Sequence, residues 1–299
     1  MKKIFLLLAI LVCSVSAARA LVVYGEDNSA NTSAPSNGLP FDNVAGVYTY
    51  GYLMGSCVYL GNGYFITANH VPLDANSSIT FDSETYYSIS SAYAPTQVGD
   101  ADLKIFYIAD QSLQESLTAV DVYETSFTTQ VQVYVAGSGV GRSPSSSTED
   151  NPVSWGDSQT ATVRWGTNNI HSKGSNTING YTYNYYSTQL NAVSNGTEAG
   201  LTLYDSGGAM FYKTIFGDWY LAGIATAVST SGSSAFAETV ADGDSIIGDL
   251  NYFVDLSYYA DEIKDVISRP PTVPEPMCVS IISALAAVAF AFKRASRSR

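Results

Sequence analysis

The chain has 299 residues, 46% of them hydrophobic and 14% charged, with 14 Lys and Arg against 27 Asp and Glu. That is room for one large or two small domains, and it is too apolar for wholesale disorder. The formal net charge of -13 excludes a nucleic-acid binder, which needs clustered cations to displace counterions from phosphate. At the start, Lys2 and Lys3 precede the apolar run Ile4 to Val12, and Ala18-Arg19-Ala20 offers a small-x-small cleavage site. Residues 1–20 read as a secretory signal peptide cut after Ala20. Residues 21–43, rich in Asn, Ser, Pro and Gly, read as an irregular leader.

From Val44 onward short β-type runs alternate with turns. Val58-Tyr59-Leu60 and Tyr64-Phe65-Ile66-Thr67 flank Gly61-Asn62-Gly63, a strong hairpin signal. Leu103 to Ile108 and Val131 to Val135 are further strands. Arg142 to Asp157 is a polar surface loop. Asn179-Gly180 precedes Tyr181 to Tyr185, which alternates with period two, and Trp219 to Ile224 is another strand. A helix over 257–268, capped by Ser257 with Tyr259, Ile263, Val266 and Ile267 on one face, ends before Pro270. Many strands and one terminal helix give an all-β barrel or sandwich.

Pro274-Glu275-Pro276 is followed by 16 apolar residues, Met277 to Phe292, and then by Lys293, Arg294, Arg297 and Arg299. As a helix those 16 residues span about 24 Å of a roughly 30 Å hydrocarbon core. The layout of motif, short apolar stretch and basic end resembles the bacterial PEP-CTERM sorting signal over residues 269–299. The resemblance implies handling by an exosortase-type machinery through Pro274, Glu275 and Pro276. It also implies membrane contact only through 277–292 before processing, and a final place in the cell envelope or outside the cell.

Residues 1–20 and 277–299 hold seven of the 14 cations and none of the acids, so the mature region is strongly acidic. Only Cys57 lies between those ends, which excludes an internal disulfide in this region. His70 and His171 are the only histidines, too few for an ordinary zinc site. Gly137-Ser138-Gly139-Val140-Gly141 lacks the following amphipathic helix of a phosphate loop, and Asp242-Gly243-Asp244 lacks the acidic alternation of a calcium loop. No cofactor or metal is expected.

Hydrolysis through a serine needs a nucleophile, a base, an oriented carboxylate and backbone donors for the oxyanion. Tyr204-Asp205-Ser206-Gly207-Gly208 is by itself a turn, with glycines that let the backbone approach a substrate. His70 closes Thr67-Ala68-Asn69-His70 at a strand end. Asp102 opens Asp102-Leu103-Lys104-Ile105, with Asp100 as a competing carboxylate.

These three segments, in the order His, Asp, Ser, resemble the chymotrypsin/trypsin-type serine protease family in its bacterial, disulfide-poor branch. Val135 to Gly139 and Trp219 to Ile224 resemble the family's segments on either side of the serine, and the likeness spans roughly 44–268. The resemblance implies two six-stranded antiparallel β-barrels with a C-terminal helix, barrel 1 over about 44–125 and barrel 2 over about 126–255. It implies an exported serine endopeptidase acting on protein or peptide substrates. His70, Asp102 and Ser206 would be catalytic, and the amides of Tyr204 and Ser206 would form the oxyanion hole.

Tyr204 stands where the family has glycine. Asp205 would pair with a freed N-terminal amine, and Val44-Ala45-Gly46-Val47 echoes the family's activated start. Gly200, six residues before the serine, would floor the substrate pocket, with Thr226 and Val228 in its wall; a two-residue gap would put Glu198 there instead. An uncharged floor and a branched Val228 imply preference for small aliphatic residues. The alternative is a catalytically weak or inactive protease-fold protein that binds at a surface; an esterase on the same triad is a weaker one.

Overall fold

A computed structural model describes residues 21–229 and 244–269, except 83, 149, 152, 194–195 and 246. The expected signal peptide, residues 1–20, and the Pro-Glu-Pro tail lie outside the described residues, as do Asp242 and Gly243. Among the described residues no helix is long and apolar enough to cross a membrane.

After β1 (Val22–Val23), the N-terminal half comprises β2 (Val44–Thr49), β3 (Tyr52–Gly61), β4 (Tyr64–Thr67) and β5 (Ser77–Thr80). It continues with β6 (Tyr87–Ser88), β7 (Thr96–Gln97) and β8 (Lys104–Tyr107). These seven form one antiparallel sheet in the order β6-β5-β2-β3-β4-β8-β7, curled into a half-barrel. No ladder joins its two ends among the described residues; the Ser90 amide reaches the Tyr107 carbonyl at 3.1 Å instead.

The C-terminal half begins with α1 (Gln111–Ser116), β9 (Asp121–Val122), β10 (Gln132–Gly137) and β11 (Val153–Ser154). The long hairpin β12 (Arg164–Ile178) and β13 (Tyr181–Gln189) follows, then β14 (Ala199–Gly200) and β15 (Ala209–Lys213). The half ends with β16 (Trp219–Val228), β17 (Asp244–Ser245), β18 (Leu250–Asp255) and α2 (Ala260–Ser268). Six strands, β15-β10-β12-β13-β18-β16, close into a barrel because β15 also pairs with β16. β9 lies before residue 126 yet pairs in parallel with β16, so it belongs to the second sheet.

Local sequence explains the two sharpest hairpins. A two-residue turn that matches strand twist needs positive φ at both positions, which Asn-Gly tolerates best. Asn62 and Gly63 sit at φ 52 and 82, and Asn179 and Gly180 at 54 and 80. Each half has its own apolar interior, around Phe65 and Phe106 in the first and Met210 and Phe253 in the second. A third cluster joins the halves, bringing Val58, Ile66 and Leu103 against Phe211, Leu221 and Ile263. Each such side chain, withdrawn from water, contributes about 1.5–3 kcal/mol before entropy is set against it.

Three expectations change. Ser257 does not cap the helix: Asp255 accepts the Ser257 amide to start a 3-10 turn, and α2 begins only at Ala260. A second helix, α1, is present, capped by the Asp110 carboxylate on the Leu113 amide at 2.8 Å. The leader is irregular but is bound as a strap. Leu21 is 1% exposed, and β1 pairs with β14. Buried irregular backbone needs donors. Arg164 donates to the Leu21 and Asn28 carbonyls, Arg142 to that of Val23, and Trp165 to that of Ser33. Val44, which echoes the family's activated start, is the first residue of β2, with 1% exposure.

Candidate active site

His70 follows β4 in a turn pinned by Ala68 and Val71, both fully buried. Asp102 is likewise buried, just before β8, which pairs with β4. That pairing delivers the carboxylate to the histidine. His70 donates twice: its amide to Asp102 Oδ1 at 2.9 Å and its ring Nδ1 to Oδ2 at 2.6 Å. Asp100, the competing carboxylate, is exposed, and the hydrogen bonds of His70 among the described residues go to Asp102 instead. With Nδ1 holding the proton, Nε2 is left as the basic nitrogen.

The serine loop is clamped between the halves. The Ser206 carbonyl accepts the Ser56 amide at 2.7 Å, and the Gly207 amide donates to Ala225 at 2.8 Å. Gly207 has φ +89, and a Cβ there would lie 1.9 Å from the Ser56 carbonyl, so only glycine fits. His70 and Ser206 line one cleft of about 240 Å³. Among the described residues no hydrogen bond takes the Ser206 hydroxyl; base and nucleophile often close up only around substrate.

Tyr204 adopts φ +70, the left-handed conformation that costs a non-glycine residue about 1–2 kcal/mol. Its carbonyl accepts from Ser56 Oγ at 3.1 Å, and that hydroxyl in turn accepts the Ser138 amide at 2.8 Å. The amides of Tyr204 and Ser206 have no acceptor among the described residues.

Asp205 faces the other way and is fully buried. Its carboxylate accepts the Gly139 amide at 2.8 Å and the Thr202 amide at 2.7 Å. Burial pushes its pKa up to about 7, while those bonds and the Arg164 charge pull the other way. Gly137 and Gly139 are packing residues: a Cβ on Gly137 would lie 2.3 Å from Asp205 Oδ1. That is why this glycine run exists without a phosphate.

The expected pocket residues divide. Thr226 and Val228 line the cleft, joined by Ala227, Met54 and Leu201 to Tyr204. Gly200 does not line it: it is held in the ladder with Val22 of the strap. Glu198 is absent from the wall as well, because its carboxylate is turned to Asn191 and buried, which raises its pKa. Asn179, at the tip of the β12–β13 hairpin, lines the cleft unforeseen. The turn was legible in the sequence; its reach was not. Among the described residues no group of three or more His, Cys, Asp or Glu is placed to hold a metal. Burial raises the pKa of Cys57, so that thiol is inert.

No protein-family model matches the chain, and no curated protein matches it. Among solved structures it is similar to Rv3671c from M. tuberculosis H37Rv, a serine-to-alanine mutant in its inactive form. That match has a TM-score of 0.50 and 12% identity, over 85% of this chain and 99% of that one. It is also similar to neuropsin, a serine protease expressed in the limbic system of mouse brain. There the TM-score is 0.51 and the identity 15%, over 80% of this chain and 98% of that one. At such identities the likeness speaks for the fold alone: the chain has the all-β double-barrel fold of the trypsin- and chymotrypsin-like serine proteases.

Proposed function

We propose that the chain is an exported serine endopeptidase. The observation that carries this reading is the His70 ring, held at 2.6 Å by a buried Asp102 in the cleft that Ser206 also lines. Ser206 Oγ attacks the peptide carbonyl carbon as His70 Nε2 takes the hydroxyl proton. Asp102 fixes the tautomer and stabilises the imidazolium. The amides of Tyr204 and Ser206 receive the oxyanion. His70 then gives the proton to the leaving amine, and water, activated by the same nitrogen, frees the acyl group. No cofactor takes part.

Maturation belongs to the same reading. Cleavage after Ala20 would free an amine at Leu21, whose carbonyl is bound by Arg164, the cation that acts on Asp205. The family resemblance gives Asp205 a freed N-terminal amine as its partner, and on our reading removal of residues 1–20 supplies it at Leu21. Residues 270–299 serve sorting by an exosortase-type machinery; their motif and basic end support this.

A fluorophosphonate decides the chemistry. Mature protein should be labelled covalently, and Ser206→Ala and His70→Ala should abolish labelling while thermal unfolding stays within about 1 kcal/mol. Unlabelled, folded protein would leave the second reading, a surface-binding protein on an inactive scaffold. The observation favouring it is Tyr204 in place of a glycine at φ +70.

A further inference from the structure

β16 carries a bulge: its ladder with β18 steps from Ala225 to Ala227 and leaves Thr226 out of register. Bulges re-aim backbone groups beside sites. The Thr226 side chain is turned inward, to the Tyr183 hydroxyl at 2.8 Å and the Tyr252 carbonyl at 3.3 Å. Its carbonyl instead accepts Asn179 Nδ2 at 3.3 Å. Thr226, Ala227, Val228 and Asn179 all line the cleft that holds His70 and Ser206. The β15 ladder stops at Ile224, so Thr226 to Val228 are open on that side of β16. An extended peptide docks by adding its backbone to such an edge, with main-chain hydrogen bonds supplying affinity.

The hairpin tip is fastened on both sides of the cleft. Asn69, the neighbour of His70, donates to the Tyr181 hydroxyl at 3.0 Å. Ile178 and Tyr183 are buried in the cluster that joins the two halves. The tip therefore bridges the His70 turn and the Thr226 bulge.

We propose that Asn179 is a specificity-determining residue that competes with the substrate: its side-chain amide occupies the Thr226 carbonyl that an extended peptide must use to dock. This rests on the peptidase reading, which supplies the peptide. The bond is exchanged on binding, so the cleft favours chains able to offer an amide in return. A ligand with no N–H to offer binds indifferently to residue 179.

Fluorophosphonate labelling of the parent protein tests the hydrolytic reading by itself. The gate is tested without chemistry, in a Ser206→Ala background, by the binding of acetylated tetra-alanine amide. Asn179→Gly keeps the turn, since glycine accepts positive φ, and removes the amide. Asn179→Asp keeps the shape and replaces the donor with an acceptor. Both should tighten the tetra-alanine Kd about fivefold, one hydrogen bond's worth, and leave its fully N-methylated analogue, which has no N–H to offer, unaffected. Equal Kd values for tetra-alanine with and without Asn179, an equal gain for the N-methylated analogue, or no detectable binding of tetra-alanine in the opened cleft would each overturn the proposal.

Discussion

Asp102 holds His70 by both its backbone and its ring, so one buried carboxylate sets the position and the tautomer of the imidazole together. Asp102→Asn should keep the turn but present the wrong ring nitrogen. The expected loss in kcat is about four orders of magnitude, with KM little changed. Asp102→Ala should also destabilise the protein by about 1–3 kcal/mol, because the His70 amide loses its acceptor. Stopped assays and thermal melts separate the two effects; near-normal turnover in Asp102→Asn would remove Asp102 from the mechanism.

Tyr204→Gly relieves a left-handed conformation at the cost of a freer unfolded chain, so a net gain of up to about 1 kcal/mol is expected. Turnover should hold or rise. Tyr204→Val, branched at Cβ, should lose both stability and rate. Chemical denaturation and steady-state kinetics measure this, and a rate that falls in the glycine variant would show that the tyrosine ring itself is needed.

A carboxyl buried with its pKa near 7 makes stability depend on pH in an unusual sense. Between about 4 and 7 the folded state keeps the Asp205 proton that the unfolded chain has released. Stability therefore falls as pH rises through that window, by a few kcal/mol in all. Protein retaining residues 1–20 should show this slope, and Asp205→Asn should lack it. In mature protein the Leu21 ammonium would favour the carboxylate and flatten the slope. Identical pH profiles of the melting temperature for the two chain forms would argue against that pairing.

Gly207→Ala places a Cβ on the Ser56 carbonyl at a positive φ. A loss of at least about 3 kcal/mol is expected, enough to prevent folding in a marginal domain. Soluble expression and melting temperature check it; a stable alanine variant would mean the serine loop is not clamped between the halves.

Val228 narrows a cleft whose other walls are Leu201, Thr202 and Leu203. Val228→Gly should shift cleavage in a peptide library from Ala or Val toward larger apolar residues before the scissile bond. Strong selection for Arg or Lys in the parent protein would contradict an uncharged pocket.

What the sequence revealed follows local rules. The Asn62 and Asn179 turns are legible because their φ demands are met by adjacent residues, and the His70 and Asp102 segments because short motifs flank strands, His70 after β4 and Asp102 before β8. Gly200 was misplaced because counting back from Ser206 cannot register a partner 178 positions earlier, Val22. The strands of the long hairpin were foreseen only from Tyr181 to Tyr185, since β12 is exposed over most of its second half and shows no apolar alternation there. α1 is six residues long with one buried side chain, Leu113, too short for a helical period to register.

The strap also sets a timetable. Val22 and Val23 leave the ribosome long before their ladder partners, Gly200 and Ala199. Until Gly200 has been made, the first strand has nothing to pair with, and Arg164, which binds the Leu21 carbonyl, is also still to come. The half-barrel of residues 44–107 can curl earlier, but its seam needs Phe211 and Leu221 from later still. Such distant closures slow folding. A chaperone or translocation partner that shields the leading residues during synthesis should therefore raise the yield of this protein more than one that acts on the finished chain.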